Sequence, residues 1–329
     1  VGFSHATHVA IVRVEGTDAS DFLQHASTQS PYVREGRVRH TLLLREDASV
    51  LADTLIVKAE EAFLVLAEGP TEQELVAWLE SLKGERQLTI QGAQGEWVTF
   101  GIDGPYAWEA LAGVLGPVVL GLPYLALLRR DDMLCLRIGK TGEYGYLLIV
   151  PRSSAADVEA KLRASGAPLD MMDVSLAALD VCALESWQFS MRMLRETSSS
   201  APSPLTPIEL QLQWRVGYAR EFVGAEALRA RRTEGAKVRL TCFTADKPVA
   251  LGQRVRLGEL EVGEVLTACD SPTLGMTVGA ALLERRFAHP HLMLSAGDLA
   301  LRTCTASLVS TLSLRIEPYK HTYATRGNP

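Results

Sequence analysis

No CxxC pair occurs in this sequence. Its five cysteines, Cys135, Cys182, Cys242, Cys269 and Cys304, are odd in number and far apart. That excludes a zinc ribbon and a thioredoxin-like redox pair. Most of them sit in apolar runs and read as small core residues, which suits a reducing, cytoplasmic setting. No apolar run approaches the ~20 residues that span a bilayer, so no membrane partner is expected. No signal-type leader is visible, although the chain begins at Val1. Positive charge is in the minority: the formal net charge is -6, which argues against a broad nucleic-acid surface. The sequence has no GxGxxG after its first strand, no GxxxxGK[ST] loop and no GxSxG elbow, so three common catalytic templates fail. The close histidine pairs His5/His8 and His289/His291 have no third ligand in sequence, and no metal site is expected.

What is present is an ordinary globular composition, with 47% hydrophobic and 22% charged residues over 329 positions, enough for about two domains. Strands are predicted at Val9–Val14, Val38–Leu44, Val50–Val57 and Phe63–Ala67. A short helix follows Thr17 and Asp18, and Thr71 to Glu74 form a capping box for a helix burying Leu75 and Leu79. The pattern then restarts: strand Trp97–Ile102, turn Asp103-Gly104, and a helix from about Tyr106 to Leu115. This is a weak internal repeat of two α+β units, about 1–95 and 96–232. Leu134–Ile138 and Tyr144–Val150 read as a hairpin. Ala155–Ala164 reads as a helix, and Asp173–Glu185 as a buried one. The Ser/Pro-rich stretch 196–207 cannot form a core and reads as a loop. Beyond it, short strands at Lys237–Thr244, Gln253–Leu257, Glu261–Ala268, Thr277–Leu282, Leu299–Ser307 and Leu312–Ile316 predict a small β-barrel or sandwich over 236–318.

Two acids stand out. Asp53 interrupts the apolar strand Val-Leu-Ala-Asp-Thr-Leu-Ile-Val, where burial of a carboxylate is costly. It is either a strand-end acid facing water or a functional group. Glu143 lies in Lys140-Thr141-Gly142-Glu143-Tyr144-Gly145, a glycine-rich turn that is either an exposed hairpin end or a close approach to a flat ligand.

These segments occur in an order that resembles the aminomethyltransferase family, which includes the glycine-cleavage T-protein and folate-dependent demethylases. The resemblance rests on Phe3-Ser4-His5, Val14–Gln24, His40-Thr41, Val50–Asp53, Arg137–Gly145, Leu184-Glu185, Pro207–Glu209, Glu221–Leu228, Val262–Thr267 and Ser271–Gly275, and it covers nearly the whole chain. It implies an α+β fold, with two related units and a C-terminal β-barrel around a central ligand channel. It implies tetrahydrofolate as cofactor, a small amine or ether as substrate, and for the glycine-cleavage branch a lipoyl carrier protein as partner. Asp53 would be the active-site carboxylate, stabilising the positive charge that develops as a one-carbon group moves. Glu143 would accept the paired N–H donors of the pterin, and Thr141, Tyr144 and Arg302 would complete the folate-binding set.

The chain also departs from the family pattern. Ala52 replaces a first acid before Asp53, and His40 stands where the family has tyrosine. Ala183 stands where the family has a folate-holding arginine, with Arg192 and Arg195 as candidate substitutes. The segment Tyr218–Glu226 lacks the cysteine of the iron–sulfur maintenance branch. Three readings follow: a folate-dependent one-carbon transferase, an enzyme of divergent biosynthetic chemistry on this scaffold, and a non-catalytic folate-binding regulator.

Overall fold

The structure is a computed structural model and describes residues 1–195 and 204–326. The chain opens with β1 (Gly2–His5) and continues with β2 (Val9–Glu15), α1 (Ala19–Ala26), β3 (Arg39–Leu44), β4 (Val50–Ala59), β5 (Ala62–Glu68), α2 (Glu72–Lys83) and β6 (Thr89–Gly92). The same succession then repeats as β7 (Trp97–Asp103), α3 (Ala107–Leu115), β8 (Leu127–Arg130), β9 (Met133–Leu136), β10 (Gly145–Pro151), α4 (Ala155–Gly166) and β11 (Met172–Asp173). The first sheet runs β3-β4-β5-β2-β6 and the second β8-β9-β10-β7-β1-β11. The strand plan is identical, except that β1 is inserted between β7 and β11. The two α+β units expected from the sequence are therefore related by topology.

Each sheet has one face for its own helices and one for the other sheet. Strand alternation sorts the residues. In β4 and β5, Ala52, Ile56, Val65 and Ala67 pack under α1 and α2. Their neighbours Leu55, Val57, Leu64 and Leu66 meet Leu134, Leu136 and Ile149 of the second sheet. Phe100, Ile102, Tyr146 and Leu148 turn the other way, toward α3 and α4. The capping box of α2 is formed as expected, with Thr71 and Glu74 exchanging hydrogen bonds. Asp18 does not cap α1 with its side chain; its carboxylate accepts from the Gln87 backbone N–H instead.

After β11 come α5 (Leu176–Glu185), α6 (Arg192–Arg195) and α7 (Ala225–Glu234). The expected burial of α5 is corrected: only its last turn, Ala183 to Glu185, is buried, because the rest lies over the edge of the inter-sheet layer. Of the Ser/Pro-rich stretch, 196–203 lies outside the described residues. Leu205 is buried, and its carbonyl accepts from the Val50 N–H.

The C-terminal strands β12 (Val238–Ala245), β13 (Arg254–Leu257), β14 (Leu260–Ser271), β15 (Met276–Glu284), β16 (Met293–Ala296) and β17 (Leu299–Thr303) close into a six-stranded barrel. Phe243, Val255, Leu283 and Leu301 fill it. The expected strand at Leu312–Ile316 is not one. Leu312–Leu314 forms a 3-10 turn, because the backbone N–H groups of Leu312 and Ser313 are taken by the Glu143 carboxylate, at 2.8 Å each. No helix among the described residues is long and apolar enough to cross a membrane.

Candidate active site

The apolar layer between the sheets ends in a cavity enclosing about 800 Å³ of empty space, solvent at its mouth included. Its walls are Leu55 and Leu66 from the first sheet and Ile138 and Leu147 from the second, with Leu179 and Ala183 of α5 above. The polar floor comes from the ends of β4, β5 and β7. Here the same alternation that sends Leu55 and Leu66 inward delivers Asp53 and Glu68.

Asp53 and Glu68 are cross-strand partners, directly opposite in register. Two like charges in that position repel. Lys140 resolves the conflict: its ammonium lies 2.9 Å from Asp53 Oδ2 and also binds Glu68 Oε2. Asp53 Oδ1 accepts from His40 Nε2 at 2.8 Å and from the Arg215 guanidinium at 2.5 Å. Glu68 Oε1 accepts from Ser190 Oγ at 2.6 Å and lies 3.4 Å from Arg192, which also pairs with Asp180. Both carboxylates are buried.

Burial by itself raises the Asp53 pKa. Lys140, His40 and Arg215 outweigh it and hold the carboxyl well below its ordinary range, so Asp53 is a fixed anion. Glu68 is lowered in the same way, burial being overcome chiefly by Lys140. Lys140 is raised because Asp53 and Glu68 overcome its own desolvation, so it stays an ammonium. His40 is lowered by burial, and Arg215 and Lys140 add to that against the pull of Asp53. It is a neutral imidazole giving its Nε2 hydrogen to Asp53, and its buried Nδ1 has no hydrogen-bond partner among the described residues. His8, also on the cavity wall, is pushed down to about 4 by burial and by Arg192.

Asp103 behaves differently. It lines the cavity from the end of β7, makes no ion pair among the described residues, and accepts one hydroxyl hydrogen bond, from Thr141 at 3.2 Å. Burial pushes it up to about 7, against the opposing pull of Thr141 and Arg137. Its stabilising contribution is complete below the unfolded value of 3.8 and is lost as pH rises through about 7. Asp103→Asn should therefore gain on the wild type as pH rises. Melting curves should show the difference in Tm widening in the variant's favour from pH 5 to pH 8. A constant difference would contradict the raised value.

Of the residues singled out from sequence, the structure brings Asp53 and Thr141 to the cavity. It does not bring Glu143, Tyr144 or Arg302 there. Both Glu143 oxygens are occupied by the Leu312–Ser313 backbone and the Ser313 hydroxyl. The Tyr144 hydroxyl donates to the Ile316 carbonyl at 2.8 Å, and its ring carries the Arg137 guanidinium. Glu143 and Tyr144 thus fasten the C-terminal segment to the second sheet. Arg302 is exposed on β17. Sequence reasoning missed Glu68, Lys140 and Asp103 as cavity groups, and Arg215 as a partner of Asp53. Arg192 and Ala183 both line the cavity.

Residues 1–220 match the GCVT N-terminal domain. The chain belongs to the aminomethyltransferase family that this domain defines. An aminomethyltransferase of Bacillus pumilus (strain SAFR-032) is 28% identical over 294 residues, 86% of this chain and 79% of the relative. One from Thermosipho melanesiensis (strain DSM 12029 / CIP 104789 / BI429) is 26% identical over 296 residues, 87% and 79% of the two chains. The crystal structure of glycine cleavage system aminomethyltransferase T from Bartonella henselae shares the fold, with a TM-score of 0.79 over 94% of this chain and 86% of that one, at 22% identity. Among the described residues no group of three or more His, Cys, Asp or Glu side chains is placed to hold a metal ion.

Proposed function

We propose that this aminomethyltransferase-family protein moves a one-carbon group between tetrahydrofolate and a small amine or ether. The observation that carries the reading is Asp53, a fixed anion at the polar end of an apolar-walled cavity. The membership of the chain in a family whose relatives are named aminomethyltransferases supports it.

The residues present fit a folate. Leu55 and Leu66 on one side, with Ile138 and Leu147 on the other, would sandwich a flat ring. Tetrahydrofolate, when bound, supplies the nitrogen that accepts or releases the one-carbon unit. The chain's part is electrostatic. Asp53 sits where solvent is excluded, so its charge stabilises positive charge on a neighbouring carbon or nitrogen more strongly than it would in water. Lys140 already touches both acids; leaning toward Glu68 leaves Asp53 Oδ2 free to face the substrate. His40 holds Asp53 Oδ1 from the opposite side, as a neutral donor that fixes the carboxylate plane. Arg192 supplies the cation that Ala183 cannot.

The reading includes a division into a catalytic region, 1–232, and a barrel, 236–318. Isothermal titration with tetrahydrofolate is the direct test. Saturable one-to-one binding at micromolar concentrations is expected, and absence of heat at millimolar concentrations would remove the folate reading.

A further inference from the structure

Three carboxylates line the cavity floor, and their hydrogen-bonding capacity is unequal. Asp53 is taken up by Lys140, His40 and Arg215. Glu68 is taken up by Lys140, Ser190 and Arg192. Asp103 holds one hydroxyl hydrogen on Oδ1. A carboxylate offers about four acceptor positions, so Asp103 has most of its capacity unused inside a cavity.

Two glycines let the backbone lie close against the Oδ1 side of Asp103. A Cβ added at Gly139 would come within 2.8 Å of Asp103 Oδ1, and one at Gly145 within 2.7 Å. Gly145 is also the register partner of Asp103 in the sheet, so any side chain pointing to that face would meet the carboxylate. On the other side of the acid, a Cβ added at Gly101 would meet Ser4 Oγ at 2.5 Å and lie 3.8 Å from Oδ2, so nothing there crowds Oδ2. Two glycines abut one acid that lacks an ion-pair partner among the described residues. A structural carboxylate would be expected to have such a partner, since an unpaired one is costly to bury. An acid waiting for a donor-bearing ligand accounts for both features.

We propose that Asp103 is the residue that accepts the two adjacent N–H donors, amino group and ring nitrogen, on the pyrimidine edge of the folate ring. The inference rests on the folate reading above and moves this recognition away from Glu143, whose oxygens are held by the C-terminal segment. Thr141 acts as a positioning residue, fixing the carboxylate plane through Oδ1 and leaving Oδ2 toward the cavity. The titratable groups that face Asp103 are Arg137, after β9, and Cys182 on α5, whose thiol burial keeps neutral.

A recognition acid of this kind makes binding proton-linked. Asp103 lies near half-ionised at pH 7, and a ligand offering two donors takes only the ionised form. Tetrahydrofolate binding should release about half a proton at pH 7, and affinity should fall by up to about tenfold for each pH unit below that. The test is isothermal titration of tetrahydrofolate into wild type, Asp103→Asn and Gly139→Ala, in phosphate and in Tris at pH 6, 7 and 8. The wild type should show the proton release. Asp103→Asn should bind at least tenfold more weakly, with no release. Gly139→Ala should also bind more weakly, although the charge is intact. Wild-type binding with no proton release, or an Asp103→Asn variant binding within threefold of wild type, overturns the assignment and leaves the folate reading standing. A wild type that binds no tetrahydrofolate overturns both. The wild-type proton count decides the matter even if a variant fails to fold.

Discussion

Asp53→Asn should lower kcat for one-carbon transfer by about 10²–10³-fold, the usual cost of removing one preorganised charge-stabilising group. The affinity for tetrahydrofolate should stay within about threefold of wild type. The amide keeps the shape of the side chain and still accepts hydrogen bonds from Arg215 and His40 through one oxygen. What it loses is the negative charge, and in this cavity that charge has no substitute. Glu68, the other anion on the floor, is committed to Lys140, Ser190 and Arg192. The loss should therefore fall on kcat, where charge develops, and not on KM. The pH profile sharpens the test. Asp53 is held well below 3.8, so it contributes no acidic limb near neutrality. Any limb near pH 7 belongs to Asp103 and should persist in the Asp53→Asn variant's residual rate. Measuring kcat and KM with the substrate that the wild type turns over most rapidly checks both points. A kcat within fivefold of wild type would show that Asp53 is not at the reaction centre.

The parts of the molecule that sequence made legible are those where local pattern and tertiary burial agree. In β4 and β5, alternation between helix-facing and sheet-facing residues is continuous, and both strands were readable. Of the six four-residue strands, β9 and β13 were legible and β1, β6, β8 and β16 were not, so at this length alternation alone does not register a strand. β1 is also completed by β7, about a hundred residues away, a pairing that no local window contains. Leu312–Ile316 shows the opposite failure: its apolar alternation suggests a strand, but a side chain from the second sheet occupies its backbone donors. The site divides along the same line. Asp53 was visible because an acid in the middle of an apolar strand breaks a pattern. Glu68 was not, because it ends its strand just before Gly69-Pro70 and reads as the start of a turn. Lys140 and Arg215 sit in turns where a basic residue is unremarked, and only folding brings them within 2.9 Å and 2.5 Å of Asp53. Glu143 was chosen for its motif, and the motif's glutamate serves to anchor the C-terminal segment.

Arg215→Met should destabilise the fold by about 3–5 kcal/mol, the range for removing one partner of a buried ion pair. The side chain is 4% exposed and that of Asp53 2%. The guanidinium donates to Asp53 Oδ1, lies over the Trp214 ring at 4.6 Å, and belongs to a 3-10 turn, Gln213–Arg215, that packs on β3. The Arg215 carbonyl accepts from Thr28 Oγ1 at 2.8 Å, so the turn itself remains tied down when the side chain is shortened. The effect is therefore one of charge. Without Arg215, Asp53 keeps one cation, Lys140, which it shares with Glu68, and one neutral donor, His40. Asp53 then depends on one partly exposed ammonium that Glu68 also claims, whereas Glu68 keeps Arg192 besides. The double variant Asp53→Asn/Arg215→Met separates this explanation from simple loss of packing. If the uncompensated anion is the cost, removing it as well should recover at least about 1 kcal/mol, and the double variant should be more stable than the sum of the two single changes. Denaturant midpoints measured at pH 7 on the three variants would show this. An Arg215→Met midpoint equivalent to less than 1 kcal/mol, or strict additivity in the double variant, would mean that the buried charge cluster is not the structural keystone its geometry describes. In that case Lys140 alone would be holding Asp53 and Glu68 together.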